Sequence, residues 1–182
     1  MSTPTRTNWH VITGGPCTGK TTMANKLTER GYKTTIEHAR HYIDTHRVLG
    51  ESVEEIKRHK YIFQRGILEM QVAEETDLSP HETIFLDRAI PDAMAYYKFL
   101  DLKVDDALTG AMQLFHYKTA FILDRLPLVN NYARREDEEE QIRIHQLIIE
   151  VYQNLPTKII YVPVLPIEER TDFVLNHIQS KD

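Results

Sequence analysis

Short apolar runs alternate with longer amphipathic segments along most of the chain. Five runs are rich in β-branched and other apolar residues and are bounded by glycine, proline or charged residues, which predicts buried strands. Strands are therefore expected at residues 9–13, 33–37, 83–87, 118–123 and 158–162. Between them, apolar residues recur at steps of three and four, the spacing of a helix with one buried face. Helices are predicted at residues 19–30, 41–50, 53–76, 91–100, 104–117, 138–154 and 167–179.

The order of these elements predicts the fold class. Strands and helices alternate, and the strands are apolar on both faces, as in a parallel sheet covered by helices. We therefore expect an α/β protein with three layers and a five-stranded parallel sheet. A length of 182 residues corresponds to one domain. We assign residues 9–182 to that domain and expect the polar residues 1–8 to be a frayed, flexible tail.

Charge and composition exclude several classes of protein. The formal net charge is −5 and the pI is about 6.0, which argues against a general nucleic-acid-binding protein. The single cysteine, Cys17, excludes an internal disulfide and a thiolate-rich zinc site. Apolar runs are too short to span a membrane, and no signal peptide is recognisable, so a cytoplasmic protein is expected. The pattern predicts no particular oligomeric state.

A glycine-rich loop lies between the first predicted strand and the first predicted helix. Its residues 14–21 satisfy the phosphate-loop pattern G-x-x-x-x-G-K-[ST]. Glycines let the backbone wrap a phosphate, and a helix N-terminus adds positive potential. Lys20 is expected to reach the β- and γ-phosphates of a nucleotide, and the Thr21 hydroxyl to hold Mg²⁺. The predicted nucleotide-binding residues are Gly14, Gly15, Pro16, Cys17, Thr18, Gly19, Lys20, Thr21 and Thr22.

Two details of the loop leave alternatives open. Cys17 is either a small residue that fits the loop or a redox-sensitive thiol, because a helix N-terminus favours the reactive thiolate. The guanine-reading pattern N-K-x-D is missing from the sequence, so ATP is favoured over GTP as the nucleotide.

Charged residues follow the predicted strands at the edge where an open parallel sheet binds its ligands. Asp87 ends an apolar run and is a candidate Mg²⁺ ligand, and Arg88 could neutralise charge on a transferring phosphoryl group. Glu37 could accept a proton from a substrate hydroxyl or hold that hydroxyl in place. Arg40 could bind a substrate phosphate. The alternative for Glu37 and Arg40 is an i, i+3 surface ion pair.

The polar segment 125–137 is predicted to be a lid. It carries the adjacent arginines Arg134 and Arg135, which could close over ATP and stabilise charge in the transition state. The alternative is an exposed basic pair that balances the acidic residues after it.

Four segments together resemble a known group of proteins. ITGGPCTGKTT, TTIEHAR, TIFLDRAIPDAMAYY and NNYARREDEEEQIRIH occur in the order typical of a P-loop family of AAA-type ATPases. That family is similar to nicotinamide riboside kinases and, more distantly, to deoxynucleoside and thymidylate kinases. The resemblance covers residues 10–173, nearly the whole chain.

The resemblance implies a nucleoside- or nucleotide-kinase-like fold and roles for individual residues. It implies Lys20 and Thr21 at the phosphates and Mg²⁺, Glu37 as the base, Asp87 and Arg88 at the acceptor and Mg²⁺, and Arg134 and Arg135 in the lid. Gln64 corresponds to a base-reading glutamine of deoxynucleoside kinases, the alternative being a solvated helix residue. Asp92 belongs to the same segment as Asp87 and is a candidate acceptor-binding residue.

Two functions are consistent with these features. The first is an ATP-dependent kinase whose phosphoryl acceptor is a small hydroxyl-bearing molecule, nucleoside- or nucleotide-like. The second is a regulatory ATP- or GTP-binding module whose lid reports nucleotide occupancy to a protein partner. An open pocket beside Glu37 and Arg40 would favour the kinase, and a filled one would favour the regulatory module.

Overall fold

The protein folds around a parallel sheet with helices on both faces. The computed structural model describes residues 3–48, 52–53, 55, 59–126 and 135–179. Its strands are β1 (Thr5–Arg6), β2 (Trp9–Thr13), β3 (Lys33–Thr34), β4 (Ile84–Asp87), β5 (Phe115–His116), β6 (Thr119–Leu123) and β7 (Lys158–Val162). Its helices are α1 (Lys20–Glu29), α2 (His38–Val48), α3 (Lys60–Asp77), α4 (Ile90–Phe99), α5 (Asp106–Ala111), α6 (Arg135–Gln153) and α7 (Ile167–Gln179).

The main sheet confirms the predicted α/β class. Its five strands run in the order β3-β4-β2-β6-β7, and each neighbouring pair is parallel. β2 lies at the centre, so the loop after it is flanked by the ends of β4 and β6. The register pairs Ile12 with Asp87 and Thr13 with Ile122, which brings the carboxyl ends of the three strands to one edge.

Alternating residues of β2 enter two separate cores, because successive side chains of a strand point to opposite faces. Trp9 and Val11 pack in a cluster with residues of α4 and α6. Ile12 packs on the other face with residues of α1 and α7. Every residue of β2 is buried, including the polar His10, which explains why the rest of the strand is apolar or β-branched.

The predictions for residues 104–117 and 1–8 need correction. Residues 104–117 are not one helix, because α5 ends at Ala111 and Phe115–His116 forms β5. The expected tail at residues 1–8 is in part a strand: β1 pairs with β5 in parallel, and buried Thr7 donates its backbone N–H to the carbonyl of His116. The partner strand lies over one hundred residues away in sequence, so local polarity could not reveal it.

The second strand is shorter than predicted. β3 ends at Thr34, and Ile36 is half exposed. Thr35 still donates its backbone N–H to the carbonyl of Phe85, after which the chain leaves the sheet. The helix that follows begins at His38, three residues earlier than expected. This early start places Glu37 at the junction between the sheet edge and α2.

Most of the predicted lid lies outside the described residues. They stop at Leu126 and resume at Arg135, where α6 begins. None of the helices in the described ranges has both the length and the apolar character needed to cross a membrane.

Candidate active site

The glycine-rich loop follows the buried Thr13 at the end of β2 and leads into α1 at Lys20. Gly14 has a φ of 139°, and a Cβ at this position would lie 2.8 Å from the carbonyl oxygen of Leu123. A larger residue would therefore clash with β6. The loop reverses direction tightly against the sheet and delivers the chain to the N-terminus of α1, where unpaired N–H groups favour anions.

The ammonium group of Lys20 is buried within the loop. Its Nζ donates to the carbonyl of Gly15 at 2.6 Å and to the hydroxyl of Thr18 at 3.2 Å. Burial, followed by the nearby charge of Arg88, lowers the pKa of Lys20 to about 7. No carboxylate of the described residues lies within ion-pair distance of it. The carboxylates of Asp87, Asp92 and Glu37 act on Lys20 only from beyond ion-pair distance, so a bound polyphosphate would supply the close negative charge that this cation lacks.

Asp87 ends β4 beside the loop, and its side chain is 3% exposed. Its Oδ1 is buried without a hydrogen-bond partner among the described residues. Burial raises the pKa of this carboxyl to about 6. Thr21 and Asp87 line the same cavity, which has a volume of about 320 Å³. A carboxylate and a hydroxyl that line one cavity are a donor set that fits Mg²⁺, which takes few protein ligands and completes its shell with phosphate and water oxygens.

Arg88 forms ion pairs with two acidic residues of the site, Glu37 and Asp92. Its backbone has a φ of 70°, and its guanidinium lies 3.2 Å from Asp92 Oδ1 and 3.8 Å from Glu37 Oε1. The guanidinium also lies over the ring of Tyr96, 5.2 Å from its centroid. Gln71 donates its side-chain N–H to the carbonyl of Arg88 at 3.1 Å. Both the backbone and the side chain of Arg88 are thus held in place.

Asp92 is occupied by protein donors. Its Oδ1 accepts from the Thr13 hydroxyl at 2.6 Å as well as from Arg88, and its Oδ2 accepts from the Tyr152 hydroxyl at 2.7 Å and from the backbone of Ala89 at 3.2 Å. Although Asp92 lines the neighbouring cavity, these bonds make it a support for Arg88. These contacts do not favour the prediction that Asp92 binds the phosphoryl acceptor directly.

Two cavities meet at Glu37, Arg88 and Tyr96. The first, of about 380 Å³, borders the phosphate loop and includes Lys20, Thr21 and Arg40. The second, of about 100 Å³, lies between α2, α3 and α4. Its walls include the apolar side chains of Phe63, Ile67, Leu68 and Ala93.

Gln64 lines the smaller cavity and is 5% exposed. The alternative of a solvated helix residue is therefore wrong. The alternative of an i, i+3 pair also fails for Glu37, whose carboxylate pairs with Arg88. Arg40 instead borders the larger cavity. Arg134 lies outside the described residues, and Arg135 is the first residue of α6.

Sequence reasoning missed two residues that contact the loop. Arg170 on α7 is 2% exposed, and its guanidinium donates to the carbonyls of Thr18 at 2.7 Å and Asp124 at 2.8 Å. His145 on α6 accepts the backbone N–H of Gly15. Each belongs to an amphipathic helix more than one hundred residues from the loop, so no local pattern could have indicated these contacts.

Comparisons with solved structures show the same fold in several kinases. Deoxyadenosine kinase from M. mycoides, solved with the products dCMP and a flexible dCDP bound, has a TM-score of 0.63 and 16% identity, covering 95% of this chain and 100% of its own. Thymidylate kinase from Ehrlichia chaffeensis has a TM-score of 0.62 and 14% identity, covering 97% of this chain and 100% of its own. At these identities the likeness concerns the fold.

A third similar structure is NadR in complex with NR, with a TM-score of 0.66 and 17% identity over 96% of this chain. The chain spans about half of NadR, 52% of its length. No curated protein matches the sequence.

Residues 9–170 match the family described as AAA domain. The match begins with β2 and ends at Arg170, so it includes the loop, the strand ends and the buried guanidinium behind the loop. It confirms the resemblance inferred from the sequence motifs. The chain belongs to this AAA domain family and has the P-loop kinase fold.

Proposed function

We propose that this protein is an ATP-dependent phosphotransferase whose acceptor is a small, hydroxyl-bearing molecule of nucleoside or nucleotide type. The observation that carries the proposal is the meeting of two cavities at Glu37 and Arg88. A phosphotransferase needs a phosphate site and an acceptor site in contact, because its chemistry depends on alignment and charge compensation. A module that only senses nucleotide needs the first site alone.

The phosphate loop holds the donor. Lys20 is buried beside Gly15 and Thr18 and exchanges these internal acceptors for phosphate oxygens. Cys17, Thr21 and Thr22 border the same cavity. The Thr21 hydroxyl and the Asp87 carboxylate would hold Mg²⁺, which would supply positive charge to neutralise the phosphates.

Glu37 and Arg88 act at the point of transfer. Glu37 accepts the proton of the acceptor hydroxyl as its oxygen bonds to the γ-phosphorus and the bond to the β,γ-bridging oxygen breaks. Arg88 stabilises the charge on the transferring group, and Asp92 keeps Arg88 oriented. Arg40 borders the larger cavity and binds a phosphate of the donor or acceptor. A role for Arg134 and Arg135 in closing over the nucleotide stays a prediction from the sequence.

The smaller cavity selects the acceptor. Its apolar walls accommodate a planar ring, and the buried amide of Gln64 supplies a donor and an acceptor to its edge. The folds shared with a deoxyadenosine kinase and a thymidylate kinase support a nucleoside or nucleotide in this position.

The test is a screen of acceptors. The protein is incubated with ATP and Mg²⁺ and, separately, with each of a panel of nucleosides, nucleotides and nicotinamide riboside, and products are identified by mass. Addition of one phosphoryl group to one class of acceptor is expected. ATP turnover that no acceptor changes would contradict a kinase and indicate the regulatory nucleotide-binding module.

Glu37→Gln is expected to lower kcat by about 10²–10⁴-fold, the range for loss of a general base. Nucleotide affinity should change little, because Lys20 and the loop remain. Glu69→Gln is the matched control, since Glu69 is an exposed residue of α3 paired with Arg65. Measuring kcat together with the Kd for Mg·ATP separates the two effects. Equal kcat values for the two variants would exclude Glu37 as the base.

Gln64→Leu is expected to raise KM for the acceptor roughly tenfold, the effect of one lost hydrogen bond. The Kd for Mg·ATP should stay the same, because Gln64 borders only the smaller of the two joined cavities. The exposed Gln113 provides the control variant Gln113→Leu. An unchanged acceptor KM in Gln64→Leu would show that the acceptor does not contact this amide.

A further inference from the structure

A histidine on α6 contacts the backbone of the phosphate loop. Nδ1 of His145 on α6 accepts the backbone N–H of Gly15 at 3.0 Å. The carbonyl of Gly15 accepts the ammonium of Lys20 at 2.6 Å. The single residue Gly15 therefore connects α6 on one side with the phosphate-binding lysine on the other.

The absence of a side chain at Gly15 is what permits this contact. A Cβ there would lie 2.8 Å from His145 Cβ and 3.1 Å from the carbonyl oxygen of Gln141. The backbone of the loop therefore packs directly on α6. Any residue larger than glycine would separate the histidine from the amide that it accepts.

The same helix also supports the other half of the site. Tyr152 lies two helical turns after His145, on the same face of α6. Its hydroxyl donates to Asp92 at 2.7 Å, and Asp92 holds Arg88. α6 thus contacts the phosphate loop through His145 and the transfer point through Tyr152 and Asp92.

The bond to Gly15 requires a neutral imidazole, because a protonated ring would present N–H to N–H. Burial lowers the pKa of His145. Three charged groups face the ring: Asp124 favours its protonation, whereas Arg125 and Lys20 oppose it. At neutral pH the ring is therefore an acceptor, and acidification removes the bond and adds a cation beside Lys20.

We propose that His145 is a positioning residue, which holds the Gly15 peptide in the conformation that binds nucleotide and makes nucleotide affinity sensitive to acid. The inference rests on the proposed nucleotide binding. It adds a role for a residue that need not touch the nucleotide. Its expected signature is a change in the pH profile of binding, which a residue that serves only to pack α6 would not produce.

The experiment compares His145→Asn with His145→Gln. The amide oxygen of asparagine can replace Nδ1 as an acceptor, whereas glutamine carries its amide one carbon farther from the backbone. The Kd for Mg·ATP is measured by calorimetry between pH 5 and pH 8, with thermal unfolding as the check of folding. His177→Gln, on the exposed side of α7, is the control.

At pH 7.5 we expect His145→Gln to bind Mg·ATP about tenfold more weakly than the natural protein and His145→Asn to bind within roughly twofold of it. As the pH falls toward 5, the affinity of the natural protein should fall more steeply than that of His145→Asn. Titration of the nucleotide's phosphates and of Asp87 is common to both proteins and cancels in the comparison.

Equal affinities for the Asn and Gln variants, or parallel pH profiles for the natural protein and His145→Asn, would overturn the proposal while leaving nucleotide binding intact. Lys20→Ala distinguishes a failure of the His145 proposal from a failure of the proposed function. If the natural protein shows no Mg·ATP binding that depends on Lys20, both the proposed function and the role of His145 are wrong.

Discussion

Lys20→Ala is expected to abolish phosphotransfer while the protein still folds. Lys20 carries a buried ammonium that no carboxylate of the described residues pairs with, so its charge is available to a polyphosphate. Loss of a group that stabilises transferring charge lowers kcat by on the order of 10³-fold or more. The measurement is acceptor-dependent ATP turnover, with circular dichroism to verify the fold.

The same substitution should leave a signature in stability. The pKa of Lys20 is about 7 in the folded protein, below its ordinary value of 10.5. Between these values the unfolded chain binds more protons than the folded one, so this group makes stability rise with pH. From pH 7 to pH 9, the free energy of unfolding of the natural protein should rise relative to that of Lys20→Ala by roughly 2 kcal/mol.

Lys26→Ala is the matched control, because Lys26 lies on the same helix and pairs with Glu29 and Glu168 at the surface. Its activity should equal that of the natural protein. Urea unfolding of all three proteins at pH 7 and pH 9 tests the stability difference. Full turnover by Lys20→Ala would exclude the phosphate loop as the site of transfer.

Asp87→Asn is expected to remove activity and increase stability. Its Oδ1 is buried without a hydrogen-bond partner among the described residues, and in the proposed function this carboxylate holds Mg²⁺. Loss of a charged Mg²⁺ ligand is worth several kcal/mol of transition-state stabilisation, which corresponds to a decrease in kcat of roughly 10²–10³-fold. Turnover as a function of Mg²⁺ concentration measures the loss.

The sign of the stability effect follows from the pKa. Burial raises the pKa of Asp87 to about 6, above the ordinary value of 3.8. The ionised carboxylate therefore destabilises the fold in full above pH 6, and this effect disappears below pH 3.8. Asp87→Asn should raise the free energy of unfolding at pH 7 in the absence of Mg²⁺. For the same reason, Mg²⁺ affinity of the natural protein should fall as pH decreases through 6.

Asp77→Asn is the control, since Asp77 is exposed at the end of α3. It should alter neither turnover nor the Mg²⁺ requirement. A stable Asp87→Asn protein with full Mg²⁺-dependent turnover would show that another group holds the metal.

Local sequence predicted the parts of this protein whose structure depends on local chemistry. The run TIFLD predicts a buried strand at residues 83–87 that ends in a carboxylate, and β4 begins one residue later, at Ile84, and ends at Asp87. The loop pattern predicts a turn into a helix, and α1 begins at Lys20. The signals are a continuous apolar run for the strand and the backbone freedom of glycine for the loop, and both act over a few residues.

Gln64 and Asp92 show what the sequence left open. The side chain of a glutamine in an amphipathic helix can face solvent or line a cavity. The packing of α2 and α4 on α3 is what encloses Gln64. The carboxylate of Asp92 is equally suited to binding the phosphoryl acceptor and to supporting a neighbouring side chain, so the residue type alone does not distinguish the two roles. It became a support for Arg88 because Thr13 and Tyr152 arrive from other parts of the chain, 79 and 60 residues away.

The sequence by itself therefore determined the α/β fold class, the phosphate loop and the charged residues at the strand ends, because periodicity, glycine content and strand termination are local properties. The tertiary structure decided which partners these residues have. His145 and Arg170 reach the loop from helices 130 and 152 residues away. Such contacts exist only once the sheet has brought α6 and α7 against the loop, since hydrogen bonds depend on distance in space and not on separation along the chain.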